Sequence, residues 1–118
     1  ERLLPEPEEQ APDRQRDEGT NDRNLVPNDV VVFERPLTEV YSVSGARVTA
    51  YQEVPGTVDQ ARIHLLDGMG MQGWALAGET TVIDGVRLLW TKDVRRCQVD
   101  LVAPGGVTEV WLRCDMAP

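Results

Sequence analysis

Apolar positions along this chain alternate in short stretches, break at corners built from glycine, proline or aspartate, and switch once to helical spacing. The first β-prone run, Val30-Val31-Val32-Phe33, stops at Glu34-Arg35-Pro36, because proline cannot donate to a ladder and restricts the residue before it; an edge strand is expected there. Val40, Tyr41, Val43, Val48, Ala50, Tyr51 and Val54 then surround Ser44-Gly45, which fits two short strands or one bent strand. Pro55-Gly56 closes that element. Thr57 is a good helix N-cap with Gln60 three residues on, the spacing of a capping box. Val58, Ala61, Leu65 and Leu66 recur at helical spacing, with Asp59, Gln60, Arg62 and His64 mainly on the other side, so an amphipathic helix of about ten residues is expected. Gly68 and Gly70 should stop it, the first as a left-handed cap.

Past Gly73 the pattern turns strand-like over residues 74–83. Asp84-Gly85 is the strongest hairpin signal in the chain, and residues 86–92 return as the partner strand. A polar corner at Asp93-Val94-Arg95-Arg96 leads to the last hairpin, residues 97–102 and 107–114 about Pro104-Gly105-Gly106. The fold class expected is α+β: an antiparallel sheet of four to six strands with one amphipathic helix packed on it.

The last hairpin allows a register to be worked out. With Gly105 and Gly106 as the turn residues, Leu101 faces Val110, Val99 faces Leu112, and Cys97 faces Cys114. Side chains alternate, so these six share one apolar face, while Gln98, Asp100, Glu109, Trp111 and Arg113 share the other. Opposed residues in a non-hydrogen-bonded pair lie about 4.5 Å apart at Cα, within disulfide reach. A Cys97–Cys114 disulfide follows, closing a loop of roughly 18 residues worth about 3 kcal/mol in the chain-entropy view. Two buried free thiols of a cytosolic protein are the alternative reading. A redox or metal role has less behind it, since the pair lacks the CxxC spacing and has no further Cys or nearby His.

Residues 1–29 are of a different kind. They hold nine acidic residues, four arginines and four prolines, with Leu3, Leu4, Leu25 and Val26 as the main apolar side chains. Such a stretch buries too little surface to offset its ordering entropy, so it is expected to be an extended arm or linker ahead of a single domain at 30–118. It supplies −5 of the formal net charge of −8. Acidity on this scale argues against phosphate-backbone binding and excludes nucleic acid as the expected partner. No run of 18 apolar residues exists to span a bilayer. The chain starts without methionine, so any leader or membrane anchor is expected upstream of Glu1; the arm reads as a tether between such an anchor and the domain, with a disordered terminus of no role as the alternative.

Candidate chemistry is sparse. His64 stands alone among polar helix residues, and Ser42 and Ser44 are not in a nucleophile-elbow context. The carboxylates Glu79, Asp84, Asp93, Asp100 and Glu109 are scattered, without a calcium-loop run, so no metal site or cofactor is expected. Gly68, Gly70 and Gly73 spell GxGxxG but follow a helix instead of preceding one, the wrong geometry for a phosphate cradle. The segment 65–76, with Gly73-Trp74 at its centre, followed by a hairpin and Leu88-Leu89-Trp90-Thr91-Lys92, resembles a class of small uncharacterised bacterial domains in which a helix runs into Gly-Trp and a strand hairpin. It lacks their acidic residue after the Trp. The resemblance covers about 35 residues, implies a helix-on-sheet architecture and implies no activity.

Trp111 beside Arg113 and Glu109 is the expected partner-binding group, since aromatic residues next to arginine are enriched at hot spots; the arm, through Leu3, Leu4, Leu25 and Val26, is the expected docking segment. The same face stays open to a second reading, in which other side chains or the arm cover it. The function expected is a non-catalytic, periplasmic or extracellular accessory domain that binds protein partners in a membrane-associated or envelope complex. A small secreted inhibitor or ligand-binding protein is the alternative, and an enzyme the third reading.

Overall fold

A computed structural model describes residues 20–116. Its strands are β1 (Thr38–Ser44), β2 (Arg47–Val54), β3 (Ala75–Val82), β4 (Gly85–Lys92), β5 (Arg95–Val102) and β6 (Thr108–Asp115), with one helix, α1 (Val58–Met71), between β2 and β3. All six form one antiparallel sheet in the order β1-β2-β6-β5-β4-β3. The α+β expectation is met at its upper strand count, and Ser44-Gly45 separates two strands of a hairpin. The helix carries the chain from β2 across one face to the far edge at β3. The meander then returns inward until β6 slots between β5 and β2.

The capping box forms as expected: Thr57 Oγ1 accepts from Gln60 N at 3.1 Å, and Gln60 Oε1 accepts from Thr57 N at 2.9 Å. The expected stop at Gly68 does not occur. Gly68 lies inside the helix, where a Cβ would come within 3.1 Å of the Val31 methyls, so its missing side chain serves close packing instead of a turn. The helix ends at Gly73, whose φ of 90° is the left-handed conformation glycine adopts at no steric cost. Gly73 N–H then donates to Gly70 O at 3.1 Å and Trp74 N–H to Met69 O at 3.0 Å, a Schellman pair that satisfies two of the last carbonyls.

Residues 30–33 form no strand, contrary to expectation. Their polar groups are met by a side chain instead of a ladder. Gln52, 1 % exposed in β2, accepts from Phe33 N and donates to Phe33 O, both at 2.9 Å, and also donates to the Tyr41 hydroxyl at 3.0 Å. One amide thus replaces a neighbouring strand, and Val31, Val32 and Phe33 pack against the core. Packing begins ahead of residue 30. Val26 and Val30 are in the core cluster, and the Asp29 carboxylate binds Lys92 Nζ at 2.8 Å and Arg95 Nη2 at 2.6 Å.

The Asp84-Gly85 hairpin exists with its turn one residue earlier. Val82 pairs with Gly85, leaving Ile83-Asp84 as the turn, Asp84 at φ 63°. Gly85 is a strand residue whose Cβ would sit 1.8 Å from the Leu101 carbonyl oxygen, so β5 leaves room for nothing larger. Between Leu76 and Gly78 the β3–β4 ladder carries a bulge, a common protection of edge strands.

The last hairpin follows the expected register: Cys97↔Cys114, Val99↔Leu112 and Leu101↔Val110. Cys97 and Cys114 form a disulfide with Cα atoms 4.0 Å apart. At its level across the sheet run Val43, Val48, Cys114, Cys97, Trp90 and Leu76. The bond therefore lies at the middle of the core, under Ala61, Leu65 and Met69 of α1 and the residues 26–33 that wrap beside them.

Candidate functional site

Alternation gives the sheet two unlike faces. On the core face, Val99, Leu101, Leu112 and Cys114 are buried. α1 and residues 25–33 supply that cover, while Thr20 bridges Tyr41 at the free edge of β1. The other face carries Arg47, Thr49, Tyr51 and Glu53 from β2; Asp115, Arg113, Trp111 and Glu109 from β6; Arg96, Gln98, Asp100 and Val102 from β5; and Thr91, Leu89, Arg87 and Gly85 from β4, level by level.

Trp111 lies near the centre of this second face. It meets Tyr51 of the neighbouring strand with ring centroids 4.3 Å apart at 54°, a tilted aromatic pair. Its indole N–H donates to Glu109 Oε1 at 3.0 Å, and the Tyr51 hydroxyl donates to Glu53. Asp100, directly opposite Trp111, holds Arg87 in a two-pronged ion pair at 2.8 and 3.0 Å, which raises the Arg87 guanidinium above its ordinary pKa. Arg47 pairs with Asp115 at 2.9 Å. Arg96 and Arg113 are exposed and have no carboxylate partner among the described residues. A shallow concavity of about 160 Å³ lies beside Trp111, lined by Ser42, Thr49, Gln98, Asp100 and Arg113 among others.

Trp111, Arg113 and Glu109 are thus brought together as the sequence predicts. Leu25 and Val26 are not: both pack on the core side. Leu3 and Leu4 lie outside the described residues. Gln98 and Asp100 join Trp111, as their shared face in the last hairpin predicts; Tyr51 and Arg87 also belong to the site and were not anticipated, because placing them requires the β2–β6 and β4–β5 registers. Parity alone singles out Gln98 and Asp100; Tyr51 needs the β2–β6 register, which no local signal encodes.

Two other clusters stand apart. Lys92 Nζ, besides binding Asp29, donates to Gln72 O at 2.6 Å at the helix terminus; Arg95 lies over the Trp74 ring at 5.1 Å; and Trp74 Nε1 donates to Asp29 O at 2.6 Å. Arg95 first, and then Lys92, hold the Asp29 carboxyl down at about 2 against a partial desolvation. This hub ties the helix end, the β4–β5 corner and residues 28–30 together. The second is Tyr41, pushed up to about 12 by burial and by its bond to Glu39. His64 is exposed and stacks on Phe33 at 4.6 Å. Among the described residues no three His, Cys, Asp or Glu side chains converge to hold a metal ion, and no helix is long and apolar enough to cross a membrane.

No protein-family model matches this chain, and neither the curated proteins nor the solved structures contain a significant match.

Proposed function

We propose that this protein is a non-catalytic exported interaction domain, a subunit or accessory of a membrane-associated or envelope complex, with residues 1–19 as its tether. The observation that carries the reading is the second face of the sheet: half-buried Trp111 against buried Tyr51 at its centre, ringed by charged groups, with no described element packed over it. A sheet face of this composition, which no described element covers, is the kind of surface protein partners use, with aromatic and arginine anchors at the middle. The disulfide supports an oxidising compartment, since cytosolic thiols are kept reduced.

A photoreactive phenylalanine analogue at position 113, in the full chain in cells that make it, is expected to give a discrete adduct. The same probe at Ile63, 49 % exposed on the helix side, is expected to give none. Equal yields from both positions, or none from either, would remove the face as an interaction site. Export has its own test, alkylation of native material without reductant: two freely reacting thiols would end it. The concavity beside Trp111 favours a second reading, a small secreted ligand-binding or inhibitory protein. That reading requires a monomer with no adduct at 113.

A further inference from the structure

The second face of the sheet is joined, level by level, to the place where the amino-terminal arm meets the domain. Thr20 N–H donates to Tyr41 O at 2.8 Å and Tyr41 N–H to Thr20 O at 2.6 Å, a bridge on the free edge of β1. The bridge is antiparallel, so the chain enters Thr20 from the Ser42 side. Across the sheet, the level of Ser42 continues through Thr49, Arg113 and Gln98. The next level holds Val40, Tyr51, Trp111 and Asp100, and the one beyond it Glu53 and Glu109. The concavity beside Trp111 spans the first two of these levels, from Val40 and Ser42 at the β1 edge to Gln98 and Arg113. It therefore begins at the edge where Thr20 is held. Tyr51, in its lining, is 8 % exposed although no described element packs over it.

From this layout we infer that the chain covers the second face with a segment of its own arm, residues 13–18. The inference goes beyond the interaction reading above, since it names what holds the face when no partner does. The charges match in order. Going back from Thr20, Glu18 and Asp17 come first, then Arg16 and Arg14. Arg113, exposed and without a carboxylate partner among the described residues, is two strand spacings or about 10 Å from β1, a span of about two to three extended residues. Glu18 and Asp17 fall at that distance. The arginines follow over Tyr51 and Trp111, where a guanidinium on an aromatic face is favourable, with Glu53 and Glu109 one level further on. Asp100, beside the rings, is already neutralised by Arg87, so no like charges are set together. Gly19, between Glu18 and Thr20, is the residue type that a reversal over a sheet edge takes at no steric cost. Tethering makes a weak contact sufficient, because a short flexible link holds the segment at an effective concentration on the order of millimolar. With few apolar side chains in residues 13–18, the contact is polar and salt-sensitive. A protein partner then gains the face by displacing these residues. The arm is a built-in competitor, and residues 1–12 remain as the tether.

Crosslinking within the purified 118-residue chain tests this. A photoreactive phenylalanine analogue in place of Gln15 is expected to insert into β2 and β6 of its own chain at low salt, and Arg113→Glu to lower that yield roughly threefold or more. Adding Asp17→Arg and Glu18→Arg to R113E should restore the yield, which a variant that had lost its fold would not do. Unchanged near-ultraviolet circular dichroism in each variant keeps loss of folding from passing as loss of docking. Adducts on α1 as often as on β2 and β6, adducts joining two chains in dilute solution, or a yield that R113E leaves unchanged overturns the arm as occupant. The experiment in cells reads the other claim. An adduct from position 113 to another protein, with no adduct from position 15 to its own sheet, removes the cover and leaves the interaction face standing. The adduct from position 15, with none from position 113 to any protein in cells, supports the cover and removes the interaction reading.

Discussion

Asp29→Asn removes the charge at the centre of the hub while keeping the backbone carbonyl that accepts from Trp74. Arg95 and Lys92 then lie close together without a counter-ion. The size of the loss follows from the carboxyl's own titration. It is held down from 3.8 to about 2, chiefly by Arg95. A depression of nearly two units corresponds to about 2 kcal/mol of stability at neutral pH, at about 1.4 kcal/mol per unit. The Asp29 side chain is 22 % exposed, so solvent screening trims this figure without erasing it. A depressed carboxyl contributes fully above its unfolded value and loses the contribution as pH falls through its folded value. The gap between wild type and variant should therefore be about 2 kcal/mol at pH 7, fall to roughly half by pH 3, and vanish near pH 2. Urea unfolding followed by tryptophan fluorescence at pH 7, 4 and 3 measures it. A gap below 0.5 kcal/mol at pH 7, or one that does not shrink on acidification, would show that the hub contributes by packing alone.

Reducing the Cys97–Cys114 bond, or replacing both residues by alanine, should lower stability by about 3 kcal/mol in urea unfolding, while a loss under about 1 kcal/mol would mean that the ladder alone already restrains the unfolded chain. Gly85→Ala must displace the Leu101 carbonyl that lies 1.8 Å from the new Cβ, and should cost more than about 3 kcal/mol or prevent folding. Gly105→Ala, which meets no atom within 4 Å, should be nearly neutral in the same thermal-unfolding comparison; equal losses at 85 and 105 would contradict the close approach.

What was legible in the residues is what a single hairpin or a single helix turn decides. The cysteine register follows from strand alternation and the position of one turn, and the helix start from the Thr57–Gln60 exchange of bonds. The misread positions are those whose role comes from a distant neighbour. Gly68 is small because Val31 crosses it, and Gly85 because β5 backs onto it. Residues 30–33 look like a strand by composition, but the buried amide of Gln52 takes the place of a ladder. Trp111, Arg113 and Glu109 could be grouped by parity within β6. Their aromatic partner Tyr51 could not, because 60 positions of sequence separate it from Trp111. Asp29 gave no signal for the same reason, its cations being 63 and 66 residues away.

The place of β6 in the sheet also sets an order of events. β2 is complete long before residues 108–115 and β5 only one short turn before them, yet neither has its inner neighbour until they are in place. The first hairpin and the β3–β5 meander must wait as separate half-sheets, and Cys97 waits with them for Cys114. Such a chain locks only when its last strand arrives. Oxidation then records that the lock has closed.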